Sequence, residues 1–254
     1  MQLLRFMGYD LKHSLMNFSS FFYLLLMPVG FYLLFGAMQD YSHMAFRDGD
    51  AAAYVMLGMA VYGAVVGAVS SAGNAVIEIE SGWGRQLALT PITSRQLLAT
   101  KTVNALVTTA LPVLCVNLTA LLTQASIPLG QQVACALVTL AVSAIFVAYG
   151  SLIARLFKNA RAVPVASGLL VFFSFFGTTF SPLSTDLLAV ARFTPLYGVT
   201  QLSRYFFTRG DTVTTDPITW FVTEPVSYAL LNLAFWGAVF MVGNWLLRKR
   251  VHSR

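Results

Sequence analysis

"AAAYVMLGMAVYGAVVGAVSSAGNAVI", residues 51–77, contains no charged side chain. A helix needs about 20 predominantly apolar residues to cross the ~30 Å hydrocarbon core of a bilayer, and this run exceeds that length. Its apolar residues do not alternate with polar ones, so it does not read as a strand of a membrane barrel. Further uncharged runs cover 18–38, 102–154, 162–185 and 225–247. The run at 102–154 is long enough for two crossings, and Pro128, Gly130 and three glutamines turn the chain within 123–132. The expectation is an all-α integral membrane protein with six transmembrane helices, near 18–38, 53–77, 102–123, 133–155, 162–180 and 225–247. Composition agrees: 57% of residues are hydrophobic and 10% charged, against roughly 25% charged in a soluble domain.

The net charge of +6 is explained better by the positive-inside rule than by nucleic acid. Six spans put both termini on one side. That side holds Arg5, Lys12, Arg85, Arg95, Lys101, Arg155, Lys158, Arg161, Arg248, Lys249, Arg250 and Arg254. The other holds Arg47, Arg192, Arg204 and Arg209. Both termini are therefore expected in the cytoplasm. A polar, charged stretch precedes a full-length first span and no small-residue cleavage site follows, so that span reads as a retained anchor. Cys115 and Cys135 fall within spans and read as packing residues. His13, His43 and His252 lie on both sides of the membrane and cannot share a metal.

Ahead of the first span, Leu4, Met7, Leu11, Leu15 and Phe18 recur at helical spacing, with Arg5, Asp10, Lys12 and Asn17 off that line. This predicts an amphipathic helix in the cytoplasmic interface; an ordinary juxtamembrane segment is the plainer reading. Between the last two spans, "LLAVARFTPLYGVTQLSRYFF" is apolar but interrupted by Arg192, Pro195 and Arg204. Neither half reaches spanning length. Thr194 can cap a helix with Pro195 at its first position, so the expectation is a re-entrant outer hairpin of two short helices.

The connection "EIESGWGRQLALTPITSRQLLATK", residues 78–101, concentrates charge between two apolar runs. Glu78 and Glu80 have no neighbouring group that would make them a catalytic pair. A short helix over 80–89, ended by Thr90-Pro91, followed by a helix capped at Ser94, reads instead as a docking element on the cytoplasmic face. No phosphate-binding G-x-x-x-x-G-K-[ST] loop occurs in the chain. Gly63, Gly67 and Gly73 lie within a span and read as helix-packing contacts.

These residues resemble a pattern of the permease subunit of type-2 ABC exporters, the drug, antibiotic and polysaccharide efflux group: E-x-E-x-G-T-L-x-x-L-L-x-T-P-x-x-R-x-x-L-L-x-x-K after the second span. Glu78, Glu80, Gly82, Leu87, Thr90, Pro91, Arg95, Leu97, Leu98 and Lys101 match, whereas Trp83-Gly84 stands where the family has Thr-Leu. A second match, to N-P-L-x-Y-x-x-x-x-L-R, falls in "TPLYGVTQLSR", with Pro195, Leu196 and Arg204 in place, Thr194 for Asn, and Tyr197 one position early. The resemblance implies one ABC-2-type transmembrane domain over residues 1–254 in a bacterial or archaeal plasma (inner) membrane. It implies that the segment from Glu80 to Thr90, with Arg85 in it, is a coupling helix seated on a separate ATP-binding subunit. Two ATPase copies and a second permease, identical or related, are the implied partners. No cofactor is expected on this chain, with ATP and Mg on the ATPase, and no enzymatic activity, metal or nucleic acid.

Asn74, Asn104, Asn117, Thr178 and Thr179 are polar positions within spans, candidates for a solute path or for interhelical hydrogen bonds. Phe172, Phe173, Phe175 and Phe176 crowd the fifth span. No charged residue lies deep in a span, which suits an amphipathic cargo better than ion coupling. The rival readings are a glycan exporter permease, an ion-coupled carrier and a non-transporting scaffold.

Overall fold

The computed structural model describes residues 2–16, 22–80, 93–123, 125–159, 161–217 and 219–252. The chain is mostly helical. The uncharged run 51–77 lies within α3, Ala51–Glu80, whose most apolar window is entirely buried inside the molecule. A helix that is apolar all round must be covered all round, and α3 is the axis on which most of the other helices pack. Asp50 starts it: its carboxylate accepts from the Ala53 N–H at 2.8 Å, as an N-cap does, and also from the Ser126 N–H at 2.7 Å.

Ahead of α3 come α1, Gln2–Met16, and α2, Met27–Tyr32, the latter flanked by π-helical turns at Phe22–Leu26 and Leu33–Ala37. After it come α4, Ser94–Leu122; α5, Leu129–Ser143; α6, Ile145–Phe157; α7, Ala162–Phe176; α8, Thr185–Ala191; α9, Tyr197–Thr208; and α10, Val226–His252. Helices α5 and α6 form one apolar unit, Leu129–Phe157. Four helices, Ala51–Glu80, Arg95–Leu122, Leu129–Phe157 and Val226–Leu247, are long and apolar enough to cross a membrane, which is the make-up of a membrane protein.

Helices α2, α4, α5, α6, α7 and α9 pack on α3, and small residues set the spacing around it. A Cβ on Gly67 would run into the Thr108 carbonyl of α4, and one on Gly63 would lie 2.6 Å from Pro112 Cβ. A Cβ on Gly73 would lie 2.7 Å from Val163 of α7, and one on Gly150 of α6 2.5 Å from the Val69 carbonyl. Close backbone approach is how apolar helices gain packing energy where lipid offers no hydrophobic drive.

Several expected boundaries shift. The fifth run leaves the helix after Phe176, not at 180: Gly177 caps α7, and Thr178 takes φ 59°, which no helix continues through. The described part of the first run is apolar helix over Leu24–Ala37. The fourth run is helical from Leu129, because Pro128 supplies the N-cap backbone and the glutamines fit the first turn. Thr93, not Ser94, caps α4: its Oγ1 accepts from the Gln96 N–H and Gln96 Oε1 accepts from the Thr93 N–H, a complete capping box.

The chain is also not purely helical. β1, Ala45–Phe46, pairs antiparallel with β2, Gly49–Asp50, and β3, Asp211–Val213, pairs antiparallel with β4, Phe221–Thr223. Phe46 joins the two hairpins, with ring centroids 5.5 Å from Phe207 and 5.4 Å from Phe221.

Candidate functional site

Helix α3 ends in Glu78 and Glu80, and both carboxylates are used. Lys101 of α4 reaches Glu78 Oε2 at 2.5 Å and Asp10 Oδ1 of α1 at 2.6 Å. The Asn104 amide donates to Asp10 Oδ2 at 2.9 Å. The Arg155 guanidinium, in the last turn of α6, donates to Glu80 Oε1 at 2.6 Å. The end of α3 is thus fastened to α1, α4 and α6 by charge-assisted bonds. The Lys101 and Asp10 side chains are only 11% and 13% exposed, so the pair between them is shielded from the screening that weakens surface pairs. Asp10, placed off the apolar line of α1 by its sequence position, is what joins that helix to α4. Met7, Leu11 and Leu15 are half-buried on the same helix, while Arg5 and Lys12 are exposed.

Asn74, Asn104, Glu78, Lys101 and His13 surround a polar cavity of about 140 Å³, roomy enough for ordered water. Asn104 Oδ1 is buried there with no hydrogen-bond partner among the described residues. Arg95 is exposed in the first turn of α4. The expected coupling helix, with Gly82, Arg85, Leu87, Thr90 and Pro91, falls in 81–92, outside the described residues.

At the other end of α3, the expected pair of short helices is present as α8 and α9. Pro195 sits in the turn between them, and α9 begins at Tyr197, two residues later than the capping argument expected. Thr194 does not cap: its hydroxyl donates back to the Ala191 carbonyl at 2.8 Å, so the α8 end claims it first. The corner is pinned to α10 and the residues before it. The Tyr197 hydroxyl donates to Glu224 Oε2 at 2.8 Å, and Arg192 holds the same carboxylate at 3.1 and 2.7 Å. Asn232 of α10 donates to the Arg192 and Thr194 carbonyls and accepts from the Gly198 N–H at 3.1 Å. Arg204 is buried, 2% exposed, and donates to the Thr178 and Thr179 carbonyls at 2.7 and 3.1 Å. Gly58 of α3 makes room for it, since a Cβ there would overlap the guanidinium.

Loops at this end are joined by charge as well. Arg47 pairs with Asp211 and Arg209 with Asp48. The Gln131 amide donating to Asp48, and then the Arg209 guanidinium, hold the Asp48 carboxyl below the ordinary carboxylate value.

The five polar span positions do not gather in one place. Asn74 and Asn104 share the polar cavity. Asn117 accepts from Gln132 of α5 at 3.0 Å and donates to its own helix at Val113. Thr179 and Thr200 share a hydrogen bond of 2.9 Å between their hydroxyls. Thr178 lies beside Arg204 at the far end. Of the fifth-run aromatics, Phe172 and Phe175 are exposed on α7. Sequence reasoning noted Asp10 and Arg192 only for their positions, without a partner, and passed over Glu224 and Asn232. Asp10, Glu224 and Asn232 act across long stretches of chain, and no local pattern marks them. No protein-family model and no curated protein matches the chain.

Proposed function

We propose that the chain is the membrane permease subunit of an ATP-driven exporter of the type-2 ABC kind. In this reading residues 1–254 form one transmembrane domain of six spans. Helix α1 lies in the cytoplasmic interface, α8 and α9 form a re-entrant hairpin on the outer side, and both termini are cytoplasmic. A separate ATPase, in two copies, docks on the coupling segment after Glu80, and a second permease completes the path. ATP draws the motors together and tilts the permeases between inward-open and outward-open populations. The cargo is an amphipathic drug-, antibiotic- or lipid-like molecule. No residue of this chain performs chemistry; ATP and Mg belong to the partner.

The observation that carries this reading is the shielded charge cluster at the root of the connection. Glu78 and Glu80 tie the buried axial helix to α1, α4 and α6 at the point where the chain enters 81–92. A pull on that connection would move four helices together, which is what a coupling device requires. Sidedness has its own support. On this topology only Arg47, Arg192, Arg204 and Arg209 fall on the opposite side, against twelve lysines and arginines on the side of the termini.

The test is the intact complex. Extracted from its own membrane and weighed by native mass spectrometry, the chain should travel as a pair of permeases with two copies of a phosphate-loop protein, and the assembly should hydrolyse ATP. A transport-competent species with one copy of this chain and no ATPase would overturn the reading.

A further inference from the structure

A second cavity, of about 370 Å³, opens at the end of α3 opposite the charge cluster. Tyr54 on its wall and Glu78 at the cluster are 24 residues apart on one helix, or about 36 Å along its axis. Its walls are apolar and aromatic, with Phe46, Phe180, Phe221 and Trp220 among them. One side chain in the lining is charged: Arg204. A guanidinium taken out of water is ordinarily matched by a carboxylate. Among the described residues Arg204 has none; it has two backbone carbonyls and the Tyr54 ring face, 4.0 Å from its carbon to the ring centroid.

Two donors beside it are also unused. Arg204 Nε and Thr178 Oγ1 are both buried without a hydrogen-bond partner among the described residues, and both residues line the cavity. Buried donors left unpaired call for an explanation. Thr178 adds a third observation. Its φ of 59° is an outlier for a β-branched residue, and such strain persists where the surroundings impose it, frequently at ligand sites. The Thr178 carbonyl accepts from the Arg204 guanidinium at 2.7 Å.

We propose that this cavity binds a single-tailed amphipathic monoanion, its carboxylate or phosphate-type head on Arg204 and Thr178 and its apolar body among the aromatic walls. One cation in the lining balances one negative charge. The volume lies near the low end of the about 300–1,000 Å³ of ligand pockets, which suits one tail or ring system rather than a two-tailed lipid. A guanidinium and a hydroxyl among the lining of an otherwise apolar chamber supply the polar contacts that orient such a ligand, and the aromatic walls supply the affinity. This is a claim about binding, independent of transport: it is measured without ATP or partner, so its failure leaves the exporter reading standing.

The experiment uses the full chain in phosphatidylcholine nanodiscs titrated with ω-bromododecanoate, whose bromine quenches tryptophan. Trp220 on the cavity wall is the reporter. The expected result is saturable quenching that is lost in Trp220→Phe and displaced by unbrominated dodecanoate. ω-Bromododecanol should bind about tenfold more weakly or worse, the effect of losing one hydrogen bond between charged partners. Arg204→Gln should remove the preference for acid over alcohol. Should that variant fail to fold, Ala45→Phe serves instead: Ala45 is exposed at the mouth, and the added ring should weaken dodecanoate about tenfold by occupying the apolar chamber. Equal affinity for acid and alcohol, quenching that persists in Trp220→Phe, or unchanged binding in Ala45→Phe would each overturn the assignment. So would displacement by a minor fraction of phosphatidylglycerol, which would hand the site to a two-tailed lipid.

Discussion

Gly67 shows how much of this molecule rests on a missing side chain. An alanine inside a helix normally gains about 1 kcal/mol over glycine. At Gly67 the added methyl would meet the Thr108 carbonyl of α4, a backbone atom that cannot step aside. The Thr108 hydroxyl, which donates to the Asn104 carbonyl of its own helix at 2.8 Å, also lies 3.4 Å from the Gly67 carbonyl. Gly67→Ala should therefore destabilise the chain by about 1–3 kcal/mol, the usual cost of overpacking. Gly130→Ala, in open space on α5, should not destabilise it. Thermal unfolding of both variants in the same detergent checks the pair; equal midpoints would contradict the contact.

At the scale of elements, the joint that matters is the end of α3. Lys101 is one ammonium between two carboxylates, Asp10 and Glu78. Lys101→Met would remove the ammonium that Asp10 and Glu78 share at a largely buried joint. Breaking a buried pair by removing one partner costs about 3–5 kcal/mol. We expect a loss near 3 kcal/mol, because Glu78 keeps a third of its exposure (34%), together with release of α1 from α4. Limited proteolysis within residues 2–16, beside a denaturation curve, reports both. Unchanged stability with α1 still protected would show that apolar contacts alone hold that helix. The corner between α8 and α9 is built on another plan: one buried glutamate just ahead of α10, Glu224, is shared by Arg192 and Tyr197.

For the whole molecule, the legible part of the sequence is the part with a period or a length. Residues 51–77 are uncharged and apolar on every side, so a membrane-length helix could be read directly, but not that the other helices rather than lipid would cover it. The two short helices of the hairpin could be read from Arg192, Pro195 and Arg204 interrupting an apolar run. The strands could not, since two- and three-residue strands are too short to display alternation. Nor could the joints, because Asp10–Lys101 and Arg192–Glu224 pair residues from separate helices and loops, and nothing local announces them. Arg204 was legible as an interruption of an apolar run and as a match to the second family pattern, but not as a buried group. Its burial depends on Gly58 standing opposite and on a left-handed Thr178, a conformation that threonine's identity argues against. These same joints make the molecule a mechanical unit: one buried helix, gripped at one end by charge and lined at the other by a cavity.

That unit is worth having only if something pulls on it. The most direct test is the ATPase activity and reconstituted transport of the complex carrying Leu87→Asp, beside Arg85→Ala and a check of membrane insertion. Leu87 is the apolar anchor expected in the motor's cleft, and truncating a central anchor typically costs more than about 2 kcal/mol, against much less for a rim charge. Leu87→Asp should insert normally yet lose both transport and substrate-stimulated hydrolysis, with Arg85→Ala nearly unaffected. A Leu87→Asp complex that inserts, transports and hydrolyses ATP like its parent would contradict the account.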